Sequence, residues 1–375
     1  MNADVLTSLL DPAILFFLLG LLAGAVRSNL EIPPQVAKFL SLYLLMAIGF
    51  KGGQELADTG LGGEGLKVVG IAMLLAVVVP AIGFAVLRRR VGELDAAAIA
   101  ATYGSVSAVT FIAASNFVAS NGDAAGGYLT VALVLMETPA IIMAVVLASW
   151  VRLRAAGGSS REPAGVLVGS DTAGAEVVDQ TAGPSVGSSV TDRPGRDDAH
   201  ADAGSPSVPS GPFSVRSVLH EGFTNGANVL LLGSLAIGFL SGQKGGEVMA
   251  PFTGSIFKGL LAFFLLEMGL LVARQLREVR DVGPFLVGFG IVMPLCAAAL
   301  AMALGALAGL SVGDLTVLTV LAASASYIVV PAVVRFAIPE ARPSRYLTMA
   351  LAVTFPFNVV VGIPLYYSVA QLVAR

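Results

Sequence analysis

The chain has 375 residues, 56% of them hydrophobic and only 13% charged, with a mean hydropathy of +0.84. Soluble domains carry about a quarter charged residues, so this composition points to lipid, and a net charge of −3 excludes the basic footprint of a nucleic-acid binder. The single cysteine, Cys296, sits in an apolar run and excludes a disulfide framework, and with only two histidines, His200 and His220, in or beside the polar linker, no transition-metal site is expected.

A bilayer demands runs of about 20 apolar residues. Such runs are read near 12–27, 35–51, 66–88, 95–120, 127–151, 225–242, 252–273, 283–310, 314–338 and 346–371. The first two and the sixth are short, and the fourth and ninth are weakly hydrophobic. Asp4 and Asp11 precede the first run where a signal peptide would carry basic residues, so this run is expected to be a retained span. Between Ala155 and Pro212 there is one Leu, Leu167, and no Ile, Phe, Met, Trp or Tyr. Such a segment buries too little apolar surface to offset its ordering entropy, and disorder is expected. The chain therefore divides into a first membrane half, 1–152, a linker, 153–224, and a second half, 225–375.

Charge gives an orientation. With the N-terminus outside, the inner loops receive Arg27 and Lys38, the Arg88–Arg90 run, Arg152, Arg154 and Arg161, Arg216, Arg274, Arg277 and Arg280, then Arg335, Arg342 and Arg345. The outer side keeps Lys51, Lys67, Lys244, Lys258 and Arg375. This asymmetry puts both termini outside and the linker in the cytoplasm of a bacterial cell with a multi-pass inner-membrane protein. Lys51, at the outer end of the second span, is expected to reach for the headgroups.

Five spans per half means that the halves enter the membrane from opposite sides. Leu19-Gly20-Leu21-Leu22-Ala23 resembles Leu232-Gly233-Ser234-Leu235-Ala236, and Ala47-Ile48-Gly49 matches Glu267-Met268-Gly269. Asp95 precedes Ser105 and Ser107 at the spacing by which Asp314 precedes Ser324 and Ser326. Tyr128-Leu129-Thr130 then answers Tyr346-Leu347-Thr348, and Pro139 answers Pro356. The expected fold is all-α: ten transmembrane helices in two inverted five-helix repeats, with broken helices four and nine crossing at the midplane, where transporters place their sites.

The segment Tyr103-Gly104-Ser105-Val106-Ser107-Ala108 interrupts the fourth span, and Ala323-Ser324-Ala325-Ser326-Tyr327 interrupts the ninth, with Pro331 one turn later. Proline fits a helix's first turn because no bonded N–H is lost there, so a half-helix is expected to begin near Ser326. Its free N–H groups and dipole bind a small anion without a cationic side chain. Gly104, Ser105, Val106, Ser107, Ala108, Ser324, Ala325, Ser326 and Tyr327 are the candidate substrate residues, against the plainer reading that small residues only let helices approach. Two acids lie within spans, Glu137 before Thr138-Pro139 and Glu267 in the seventh. Carboxylates in a bilayer are costly, so each is a candidate coupling residue or a paired, protonated acid. No nucleophile–base pair is found, and no enzyme is expected.

These residues resemble the sodium-dependent bicarbonate transporter family of cyanobacterial carbon-concentrating systems and other bacteria. The resemblance covers both halves and leaves out the linker. It rests on Gly104-Ser105-Val106-Ser107-Ala108-Val109-Thr110, on Glu137-Thr138-Pro139, and on Ala322-Ala323-Ser324-Ala325-Ser326-Tyr327 with Pro331, Arg335 and Pro339. It implies a sodium/bicarbonate symporter that is a homotrimer in its relatives, with the anion between the broken helices and regulation by a PII-like protein on the cytoplasmic face. Ser105, Ser107, Thr110, Ser324 and Ser326 match the family's substrate and ion positions. The cyanobacterial members carry an aspartate where this chain has Tyr327, and Glu267, without an acidic counterpart there, is the candidate to supply the charge. Two alternatives remain: a carrier of another small organic or inorganic anion, proton-coupled or uncoupled, on a bile-acid-symporter-like architecture, and a non-transporting membrane sensor. The lack of a central Arg or Lys favours a small anion over a larger organic acid.

Overall fold

A computed structural model describes residues 11–60, 62–158 and 226–374. Most of the polar segment expected to be a disordered linker lies outside the described residues. Its start does not: the helix expected to end near 151 runs on to Gly158, past the boundary drawn at 152. Arg152-Leu153-Arg154-Ala155-Ala156 are all strong helix formers, which is the physical reason.

The described chain is helical, with no strand among the described residues. We number its main helices α1 (Pro12–Ala25), α2 (Pro34–Thr59), α3 (Gly63–Leu87), α4 (Glu93–Gly104), α5 (Ala108–Ser120) and α6 (Tyr128–Gly158). After the undescribed segment come α7 (Gly226–Thr253), α8 (Ser255–Gln275), α9 (Pro284–Leu307), α10 (Val312–Ala323), α11 (Val329–Ala337) and α12 (Pro343–Val373). The helix starts are chemically marked. Asp11 accepts from the Ala13 N–H at 2.8 Å with Pro12 at the first helical position, and Pro34, Pro284 and Pro343 occupy the same place in their helices.

Where the sequence suggests ten spans, eight helical segments are long and apolar enough to cross a membrane. The α4–α5 pair counts as one of these, Glu93–Ser120. The two shortfalls are α1, with 14 residues, and the ninth span, which is divided into pieces of 12 and 9. At 1.5 Å per residue α1 is about 21 Å long, short of a hydrocarbon core of about 30 Å. The sixth span does not stop at 242: helix continues to Thr253 through a kink at Gly242, whose φ of 56° suits glycine. Gln54 donates to the Gly242 carbonyl exposed by that kink, at 3.2 Å. In α12, π-helical turns at Met349–Thr354 and Asn358–Gly362 flank Pro356, where an i−4 backbone bond is lost.

Two helix pairs rest on glycine. α1 packs on α8, where a Cβ at Gly20 would overlap the Leu266 carbonyl and one at Gly269 the Phe17 carbonyl. α2 packs on α7, where a Cβ at Gly53 would overlap the Leu235 carbonyl and one at Gly238 the Phe50 carbonyl. Lipid gives no hydrophobic drive for helices to associate, so this backbone-to-backbone contact supplies the packing energy. A second group forms around the broken helices: α3 lies on α4, α9 on α10, and α10 also meets α5 and the end of α12.

The loops tie together at each end. At one end Glu31 faces Arg274 at 3.8 Å, Arg152 bonds Glu340 at 2.9 Å, and Arg345 bonds Asp95 at 2.8 Å. At the other, Lys67 donates to the Ala308 carbonyl at 3.2 Å and Tyr367 to Asp123 at 2.6 Å.

Candidate functional site

Helical geometry fails twice in the protein interior. After Gly104 the backbone becomes extended at Ser105 (φ −100°, ψ 176°) and Ser107 (φ −103°, ψ 112°). The Ser107 hydroxyl then accepts from the Thr110 N–H at 3.2 Å and caps the restarting helix α5. Serine does this well because its short hydroxyl competes for nearby backbone donors. In the second half α10 ends at Ala323, Ser324 is extended (φ −87°, ψ 167°), and helix resumes at Val329. The restart falls a few residues later than the position near Ser326 read from the sequence, and Pro331 lies in the first turn.

The two interruptions touch. The Ser326 N–H donates to the Thr102 carbonyl at 3.0 Å, and the Ser107 N–H donates to the Ser324 hydroxyl at 3.0 Å. Ser324 in turn donates to the Leu321 carbonyl at 2.9 Å. Ser105, Val106, Ser107, Ser324, Ala325 and Ser326 are all buried, with no more than 3% of any of them exposed. Gly104 also lies here, but it is a packing position: the Pro80 ring stands 2.6 Å from where its Cβ would be. Ala108 and Tyr327 are partly buried beside the two breaks, and Tyr327 stacks edge-on to Phe355 with ring centres 5.9 Å apart.

Residues not singled out in the sequence complete the setting. Asn358, in a π-helical turn of α12, donates to the Ala323 carbonyl at 2.8 Å and so satisfies the end of α10. Tyr366 steadies it by donating to its amide oxygen at 3.2 Å. Tyr103 meets Thr354 at 2.6 Å, and Thr354 donates to the Gly290 carbonyl at 2.7 Å. An asparagine in the apolar run of the last span was the available signal for Asn358, since a buried amide needs partners.

At this crossing the buried oxygens of Ser105 and Thr110 have no hydrogen-bond partner, and the Tyr327 hydroxyl lies toward Ser107. Native interiors leave few such groups, and each asks for an explanation. Together with the first two N–H groups of α5, which precede the capped Thr110 N–H, and the positive end of its dipole, they make a neutral, donor-rich environment. It offers hydroxyls and amides to a small anion and oxygen lone pairs to a cation.

The candidate acids are placed differently. Glu137 is 8% exposed and accepts from the Asn228 side chain at 2.6 Å, a partner that joins α6 to α7 and was not foreseen. Glu267 is half-buried, has a buried oxygen without a partner, and has Arg274 and Glu31 as charged neighbours. Among the described residues, neither acid hydrogen-bonds to either break.

Residues 12–371 match the family profile described as the Na+-dependent bicarbonate transporter superfamily. No curated protein matches the chain.

Proposed function

This chain belongs to the Na+-dependent bicarbonate transporter superfamily, and from that premise we propose that it imports bicarbonate together with sodium at the crossing of its two broken helices. It is a multi-pass membrane transporter rather than an enzyme. The observation that carries the reading is the pair of buried, unpartnered oxygens of Ser105 and Thr110 beside a capped helix N-terminus. Bicarbonate both donates and accepts hydrogen bonds and carries one charge, so neutral donors and a helix dipole suit it.

We assign Gly104, Ser105, Val106, Ser107 and Ala108 from the first break, and Ser324, Ala325, Ser326 and Tyr327 from the second, to the anion. Thr110 and Ser324 oxygens serve the sodium ion, with Glu137 or Glu267 supplying charge. Tyr327 offers a neutral hydroxyl where a carboxylate would balance a cation, so the counter-charge comes from elsewhere.

The architecture we propose is two inverted five-helix repeats with both termini outside. Its support is reciprocity. If α7 answers α1 and α8 answers α2, the pair α1–α8 maps onto α7–α2, and these are the two glycine-packed pairs. Asp95 in α4 accepts from the Arg342 N–H and the Arg345 guanidinium, both at 2.8 Å, where the chain enters α12. Asp314 in α10 accepts from the Gly126 N–H at 2.7 Å and from the Tyr128 hydroxyl, where the chain enters α6. A bacterial inner membrane, a homotrimer and a PII-like regulator at the cytoplasmic face complete the proposal.

The test is uptake of labelled bicarbonate into proteoliposomes with imposed sodium and pH gradients, in wild type, Glu137→Gln and Glu267→Gln. Sodium-driven uptake is expected. Uptake that ignores sodium, follows the pH gradient and disappears in one glutamine variant would replace sodium by a proton.

A further inference from the structure

A cavity of about 280 Å³ opens between α2, α5, the start of α6 and the start of α8. Ala47, Ile48 and Phe111 line it and are buried, and we read them as its floor. Phe111 follows Thr110 and lies four residues from Ser107, about 6 Å along the axis of α5 at 1.5 Å per residue. The cavity thus reaches within about one turn of the crossing. Its polar lining includes Lys51 and Glu55 from α2, Lys258 from α8, and Ser115, Asn116 and Asp123 from α5 and the loop after it.

Formal charges balance, but their engagement differs. Lys51 and Glu55 face each other at 3.8 Å, and Asp123 accepts from Tyr367 at 2.6 Å. Lys258 is exposed and makes no salt bridge among the described residues. Lys51, expected from the sequence to reach for headgroups, also lines the cavity. A cation without a counter-charge in a cleft with low-dielectric walls raises the local concentration of anions.

We propose that this cavity is the outer access chamber for the transported anion, and that Lys258, supported by Lys51, is the charge that draws a small monovalent anion into it. The inference rests on the reading of the crossing as the anion site. It adds a place where the anion is selected before it reaches the serines. Because the lysines act on encounter, they change the apparent affinity and its salt dependence more than the turnover.

Two measurements test it independently. In proteoliposomes, Lys258→Gln is expected to raise the KM for bicarbonate about threefold to fivefold at low salt with little change in maximal rate. Lys67→Gln, which removes an equal charge outside the chamber, leaves KM unchanged. The second measurement needs no transport. In a Cys296→Ser background, Ser115→Cys is labelled from outside with anionic sulfonatoethyl or cationic trimethylammonioethyl methanethiosulfonate. The anionic reagent is expected to react faster, and Lys258→Glu to reverse the preference by about tenfold in the rate ratio. A wild type that takes up no bicarbonate would sink the functional reading, while the labelling ratio would still decide the chamber. An unreactive Ser115→Cys, or a ratio unmoved by Lys258→Glu, overturns the chamber whatever the uptake shows.

Discussion

Ser324→Ala is the sharpest probe of the crossing, because one hydroxyl bridges the two breaks. Ser324 is 1% exposed; its oxygen accepts from the Ser107 N–H at 3.0 Å and its hydrogen goes to the Leu321 carbonyl at 2.9 Å. Alanine removes both. The Leu321 carbonyl keeps the Ser324 N–H at 3.3 Å, so the main loss is the partner of the Ser107 N–H. A buried donor left unsatisfied costs about 1–3 kcal/mol, equivalent to roughly fivefold to 150-fold in the equilibrium for the closed crossing. Ser107 also caps α5, so misplacing it weakens the anion site as well as the fold. The assay pairs KM for bicarbonate uptake with melting temperature in detergent. The control is Thr102→Val, whose hydroxyl only returns to the Ala98 carbonyl at 2.9 Å within α4. Ser324→Ala should raise KM at least fivefold and lower the melting temperature, and Thr102→Val should do little. Equal effects from the two, or a silent Ser324→Ala, would refute the bridging role.

Ser107→Leu and Ser326→Leu place bulk where both residues are buried, and abolition of uptake in stably inserted protein is expected by the same flux assay. Asp314→Ala should be more damaging than Asp95→Ala. Asp314 is 4% exposed and leaves the Gly126 N–H and the Tyr128 and Ser311 hydroxyls without their acceptor, a loss of about 3–5 kcal/mol readable as lost thermal stability. Gly53→Ala and Gly238→Ala force α2 and α7 apart and should lower stability, whereas Gly233→Ala meets nothing within 4 Å and should be neutral or slightly stabilising. At the surface, the N–H of Glu340 itself and the Arg152 guanidinium hold the Glu340 carboxyl below its usual value. Its folded value is the lower one, so its small contribution is complete above the ordinary carboxylate range and is lost as pH falls through the depressed value. Melting curves of wild type and Glu340→Gln should therefore converge in acid.

The sequence by itself located what a bilayer and a helix decide residue by residue. Apolar runs show as spans because lipid penalises every unpaired polar group along them. The two interruptions show because extended serines and a following proline have backbone preferences that neighbours need not enforce. Local propensity also explains why α6 runs beyond 152, although the polar composition just downstream masked it. What only tertiary structure decided are the partnerships between residues far apart in the chain. Asn228 reaches Glu137, Asn358 reaches Ala323, and Lys258 joins Lys51 around a cavity. Such pairs depend on how closely two backbones approach and how each helix is rotated, and glycines such as Gly20 and Gly53 set that approach against a surface on another helix. No single stretch of sequence holds both sides of such a contact, so it becomes legible only once the helices are packed.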